Sequence, residues 1–67
     1  MEELLKKYDD LYEYFYFLEG LRQSGTTNMA GARPYLMDAY GLSKKDAWEI
    51  LDFWTKHYNE IAKKLGY

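Results

Sequence analysis

A chain of 67 residues with no cysteine holds one domain at most, and no disulfide framework compensates for its small size. Eleven acidic against nine basic side chains give a net charge of −2. That is too balanced for a polyanion mimic and too acidic for a general nucleic-acid binder. An aromatic share of 19% argues against disorder, so the core must do the stabilising alone.

The longest apolar run, Tyr14 to Leu18, cannot span a bilayer, so no membrane contact is expected. The opening MEELLKKYDD lacks the basic-then-apolar order of a secretory signal, and a cytoplasmic location is the expectation. β-branched residues are scarce, with no valine at all, and helical spacing recurs three times.

In the first segment Leu4, Tyr8, Leu11, Phe15 and Leu18 follow at steps of four and three, which places them on one helix face. Glu2 and Glu3 favour its start through the helix dipole, and Gly25 is a natural stop. The spacing predicts one helix over about 3–23. Tyr14, Phe17 and Leu21 widen the apolar face on one side, and Leu5, Tyr12 and Tyr16 widen it on the other. Either the helix lies between two neighbours, or Tyr16, Phe17 and Tyr12 stay at the surface as contact residues. Gly20 either marks a close approach to the backbone or ends the helix.

Residues 24–28, SGTTN, read as a turn in which Thr27 or Asn28 caps the next helix. Met29, Ala32, Leu36 and either Ala39 or Tyr40 then share a face, which predicts a helix over about 29–40. Pro34 interrupts it: the helix starts late with Pro34 in its first turn, or starts near Met29 and bends. Gly41 ends it.

Ser43 with Asp46 forms a capping-box pattern. Ala47, Leu51, Trp54, Tyr58, Ile61 and Leu65 then repeat at four-and-three steps, predicting a helix over about 44–64 closed by Gly66. Asp52 with Lys56, and Glu60 with Lys64, are favourable four-apart pairs on a solvated face. Trp48 and Phe53 lie off the core stripe on opposite sides, as rim-packing residues or as contact anchors. The expected architecture is all-α: one compact three-helix domain over residues 1–67. Two long terminal helices run antiparallel, with the shorter proline-containing helix crossing between them.

Catalytic chemistry has little to work with. One histidine, no cysteine and no spaced carboxylate loop argue against a metal, and no cofactor motif is present. His57 has no visible nucleophile partner, and Asp9, Asp10 and Glu13 read as a solvated acidic edge. The expectation is a protein without enzymatic activity.

Residues 35–51, YLMDAYGLSKKDAWEIL, resemble the helix-turn-helix of transcription regulators. Gly41 falls in the turn, and Ile50 with Leu51 fits the apolar end of a recognition helix. Met37 departs from the small residue usual in that family, and Ala47 from the β-branched one. The resemblance implies that Ser43, Lys44, Lys45, Trp48 and Glu49 face the major groove of DNA. Asp46, Glu49 and Asp52 count against it, because a groove binder needs a basic face.

Thr27-Asn28-Met29, Gly31-Ala32, Pro34-Tyr35-Leu36 and Gly41-Leu42 form a second pattern. Through it residues 12–54 resemble a group of small helical proteins from phage and bacterial sequences. That resemblance implies a compact helical fold and a phage origin, and it carries over no catalytic residue. The leading expectation is a non-enzymatic binding protein, a phage accessory factor that contacts a protein partner or itself. Its surface would be Tyr12, Tyr16 and Phe17 with Trp48 or Phe53 nearby. A helix-turn-helix DNA-binding regulator is the alternative.

Overall fold

A computed structural model describes residues 2–25 and 31–67, and every regular element among them is helical. In chain order these are α1 (Glu2–Lys7), α2 (Leu11–Ser24), α3 (Ala32–Tyr40), α4 (Lys44–Lys56) and α5 (Tyr58–Leu65). Five helices thus replace the expected three, because both long terminal helices are divided.

The first division falls at Tyr8–Asp10. The Tyr8 N–H still closes α1 onto the Leu4 carbonyl at 2.8 Å, and α2 restarts with the Tyr14 N–H on the Asp10 carbonyl at 3.1 Å. Adjacent aspartates suit a helix start better than a helix interior. The break also lets the Tyr8 hydroxyl reach α4, where it lies 2.9 Å from Asp46 and 2.7 Å from Glu49. Leu4, Tyr8, Leu11, Phe15 and Leu18 are nevertheless all buried, so the apolar stripe survives the interruption.

The second division falls at His57. Two residues earlier, the Thr55 hydroxyl shares its hydrogen between the carbonyls of Leu51 (3.1 Å) and Asp52 (2.9 Å). Hydroxyls that insert into the backbone ladder in this way bend helices. A straight helix over 44–64 would be about 30 Å long. The greatest extent of the molecule is 27 Å, so the bend keeps this segment within the body.

The bend also sets the helix directions. Tyr8 meets Asp46 and Glu49, Phe15 stacks on Phe53, and Glu19 meets Tyr58, so both partners rise together in sequence. α4 therefore runs in the same sense as α2, against the antiparallel expectation. α5 returns in the opposite sense, bringing Leu65 to Tyr16 and Tyr67 to Phe15. α3 packs against α4 and α2, with Ala32 and Leu36 fully buried.

The expected caps at Thr27 or Asn28, and the start near Met29, lie outside the described residues. Pro34 stands in the first turn of α3, where a backbone N–H has no helical partner to lose. Gly25, Gly41 and Gly66 end α2, α3 and α5 in left-handed conformations. At Gly41 (φ 67°) the N–H reaches the Met37 carbonyl at 2.8 Å. A methyl group there meets no atom within 4 Å, so Gly41→Ala is penalised only by its backbone conformation. The substitution is expected to cost about 1–2 kcal/mol, read from the shift in denaturation midpoint at unchanged slope.

Candidate functional site

The five aromatic residues expected to form one docking patch have separate surroundings. Phe17 is half-buried and sets its ring edge-on to Tyr40 of α3, with centroids 5.4 Å apart. Phe53 lies parallel to Phe15 at 6.4 Å and against the His57 ring at 4.4 Å. Tyr12 is half-buried against the core. Tyr16 is 51% exposed, yet its hydroxyl donates to the Leu65 carbonyl at 2.8 Å and its ring meets Tyr67 edge-on. Tyr14, in the middle of the run, is buried between Tyr8 and Tyr40. The surplus aromatics of α2 thus mostly cover the seams with α3 and α5. Gly20 is exposed inside α2 with nothing near its missing side chain, so neither reading of it applies within this chain.

Trp48 is different. It is 53% exposed, the most open of the large apolar side chains among the described residues. With Arg33, Lys44 and Lys45 it lines a shallow groove of about 440 Å³ across the starts of α3 and α4. Lys44 and Lys45 stand four and three residues before Trp48, on the same side of α4. Residues 41–43 join α3 to α4, and the Ser43 hydroxyl accepts the Asp46 N–H at 3.1 Å to start α4.

The carboxylates around this surface are all engaged. The Asp46 side chain accepts from Tyr8 instead of returning to Ser43, so only half of the capping box forms. Glu49 accepts from the Lys7 ammonium at 2.9 Å and shares with Asp46 the single hydrogen of the Tyr8 hydroxyl, 2.7 Å away. The bond from Lys7, then that from Tyr8, holds the Glu49 carboxyl below its ordinary range. Burial, together with those carboxylates, drives the Tyr8 phenol above its ordinary range. Asp52 pairs with Lys56 at 3.1 Å. Two of the three acidic groups that counted against a basic face are thus paired with a cation, Glu49 with Lys7 and Asp52 with Lys56, while Asp46 keeps its charge and is bonded by the neutral Tyr8 hydroxyl. Arg33, Lys44 and Lys45 dominate what remains beside Trp48.

The sequence also hid a buried carboxylate. Glu19, 5% exposed, accepts from Arg22 at 3.0 and 2.8 Å, from Gln23 at 2.6 Å and from Tyr58 at 2.8 Å. The i+3 and i+4 spacing of Arg22 and Gln23 was its readable signal. The partner on α5 was not readable. This network fastens α2 to α5, and every acceptor direction is turned inward onto the chain.

A second groove, of about 860 Å³, runs between α1 and the bend and includes Glu2, Glu3, Leu4, Phe53 and His57. His57 stacks on Phe53 there, and the flanking Glu49 and Asp52 are the paired carboxylates just described. Among the described residues no group of three or more acidic or histidine side chains is placed to hold a metal ion. Nor is any helix among them long and apolar enough to cross a membrane. No family model, curated protein or solved structure matches the chain.

Proposed function

We propose that this protein is a small, non-enzymatic DNA-binding domain of helix-turn-helix type, with α4 as the helix that enters the major groove. The observation that carries the reading is the surface at the start of α4. There Lys44, Lys45 and Trp48 project beside Arg33, while Asp46 and Glu49 are held by Tyr8 and Lys7. Two features support it. Leu36, Ala47 and Ile50, which such a helix pair must bury, are each fully buried. Lysines in the first turn of a helix oppose its dipole, so helix stability alone disfavours Lys44 and Lys45 there. Backbone N–H groups and lysines at one helix end attract phosphate.

Affinity for random-sequence duplex DNA, measured across a range of salt concentrations, tests this reading. Three phosphate contacts from Arg33, Lys44 and Lys45 give an expected slope of log affinity against log salt of about −2.7. Replacing both lysines by glutamate is expected to abolish binding while leaving the helical circular dichroism unchanged. Absence of any binding by the parent protein at low salt sinks the reading.

A second reading, a phage accessory factor working through protein contacts, rests on Tyr16 and Tyr67. Tyr16 is, after Trp48, the member of the anticipated aromatic surface that stays open, and its ring meets that of the half-buried Tyr67 edge-on at 5.7 Å. Self-association is its simplest form, and a monomer at all micromolar concentrations counts against that form.

A further inference from the structure

We infer that Trp48 is the specificity-determining residue of the α4 surface and that it recognises the C5-methyl group of thymine in the major groove. The inference rests on the DNA-binding reading above and names what that surface reads.

The argument goes by elimination along the exposed side of α4. The Ser43 oxygen accepts the Asp46 N–H, which holds this short side chain against the helix end and leaves it only a small O–H that fits either a phosphate or any base acceptor. Asp46 and Glu49, both half-buried, are drawn toward the α1 exit by their bonds to Tyr8 and Lys7, and as carboxylates they are repelled by the phosphates that flank the groove. Ala47 and Ile50 are buried in the core. Lys44 and Lys45 are flexible point charges that suit phosphates better than fixed base edges. Trp48 is left as the one large, semi-rigid group in the groove shared with Arg33, Lys44 and Lys45. An indole presents a broad apolar face and a single donor. Of the four bases only thymine offers an apolar group to the major groove, its methyl, and the chemistry of Trp48 matches that group rather than the donor and acceptor patterns of the others. The flanking cations supply the charge complementarity that brings a polyanion to this face. Trp54, by contrast, is buried and gives its N–H to Tyr67. A change in tryptophan emission on binding therefore reports chiefly on Trp48.

The test compares two random-sequence duplexes of equal length, one containing thymine and one containing uracil at every thymine position. They differ only in the methyl groups. Binding is read at low salt by fluorescence anisotropy of labelled duplex. The parent protein is expected to bind the uracil duplex about fourfold more weakly for each methyl it covers. Trp48→Ala is expected to bind both duplexes alike, with the salt slope unchanged because the cations remain. Equal affinity of the parent for the two duplexes overturns the methyl-reading role and leaves the DNA-binding reading standing. Discrimination that persists in Trp48→Ala overturns the assignment to Trp48. Failure of the parent to bind either duplex overturns both readings.

Discussion

Replacing Glu19 by alanine is expected to destabilise the fold by about 2–4 kcal/mol, as removal of one partner from a buried charged network does. A domain of this length has roughly 3–10 kcal/mol in total, so the variant is expected to be partly unfolded at 37 °C. The loss is concentrated at one seam. Glu19 is where Arg22, Gln23 and the Tyr58 hydroxyl converge, and Tyr58 brings α5 to α2. The bonds from Arg22, then those from Gln23 and Tyr58, outweigh burial and lower the Glu19 carboxyl from 4.5 to about 2.

The sign of the pH dependence follows. A carboxyl with a depressed folded pKa stabilises the fold above its unfolded value, and that contribution disappears as pH falls through the folded one. Stability is therefore expected to drop by about 3 kcal/mol between roughly pH 5 and pH 2 from this group. The drop from this group is expected to be absent in Glu19→Ala. Urea denaturation at several pH values checks both. A Glu19→Ala curve parallel to that of the parent between pH 5 and pH 2 contradicts the assignment. Tyr58→Phe, which removes one of the four bonds and no charge, is expected to cost only about 1 kcal/mol.

Trp54→Ala is expected to lose about 3–5 kcal/mol, the range for deleting a large aromatic side chain from a packed core. Trp54 is 1% exposed, sets its ring edge-on to Tyr58 at 4.9 Å and donates its indole N–H to the Tyr67 hydroxyl at 2.9 Å. Its removal opens a cavity and leaves the buried end of Tyr67 without that donor. The matched control is the other tryptophan. Trp48→Ala is expected to change stability by no more than about 0.5 kcal/mol, because an exposed side chain leaves no cavity. Chemical denaturation of the two variants separates the residue that builds the fold from the one that faces outward. Equal losses in both contradict the burial pattern on which the proposed DNA-contacting surface depends.

The apolar stripes were legible in the sequence because their periodicity is local. Leu4, Tyr8, Leu11, Phe15 and Leu18 are all buried, as are Ala47, Leu51, Trp54 and Ile61. The glycine stops at 25, 41 and 66 and the Ser43 cap were legible for the same reason, since capping chemistry acts over a few residues. The continuity of the long helices was misread. The break after Lys7 serves a bond between Tyr8 and residues about forty positions away, and the bend at His57 accompanies the bonds of the Thr55 hydroxyl to the backbone. Neither event leaves a periodic trace.

The candidate surface was legible in its α4 members and not in its grouping, and Arg33, brought to it by α3, was missed. Lys44, Lys45 and Trp48 could be placed on one face from their spacing. The bonding of Glu49 and Asp46 to Lys7 and Tyr8 could not, because it depends on where α1 comes to rest. Tyr12, Phe17 and Phe53 read as contact anchors because an aromatic excess looks the same whether it covers a seam or meets solvent.

The reversal at His57 has a kinetic consequence. The helices themselves are local and form on a scale of about 0.1–1 μs. The seam that α5 makes with α2 closes through Glu19–Tyr58, Tyr16–Leu65 and Phe15–Tyr67, which are separated by 39, 49 and 52 positions. Loop-closure entropy must be met before any of these contacts rewards it. The docking of such long-range seams, rather than the winding of any helix, is therefore expected to set the pace at which this chain reaches its native state. Substitutions along that seam will alter how fast the protein assembles or comes apart, in proportion to how much of the seam exists at the barrier.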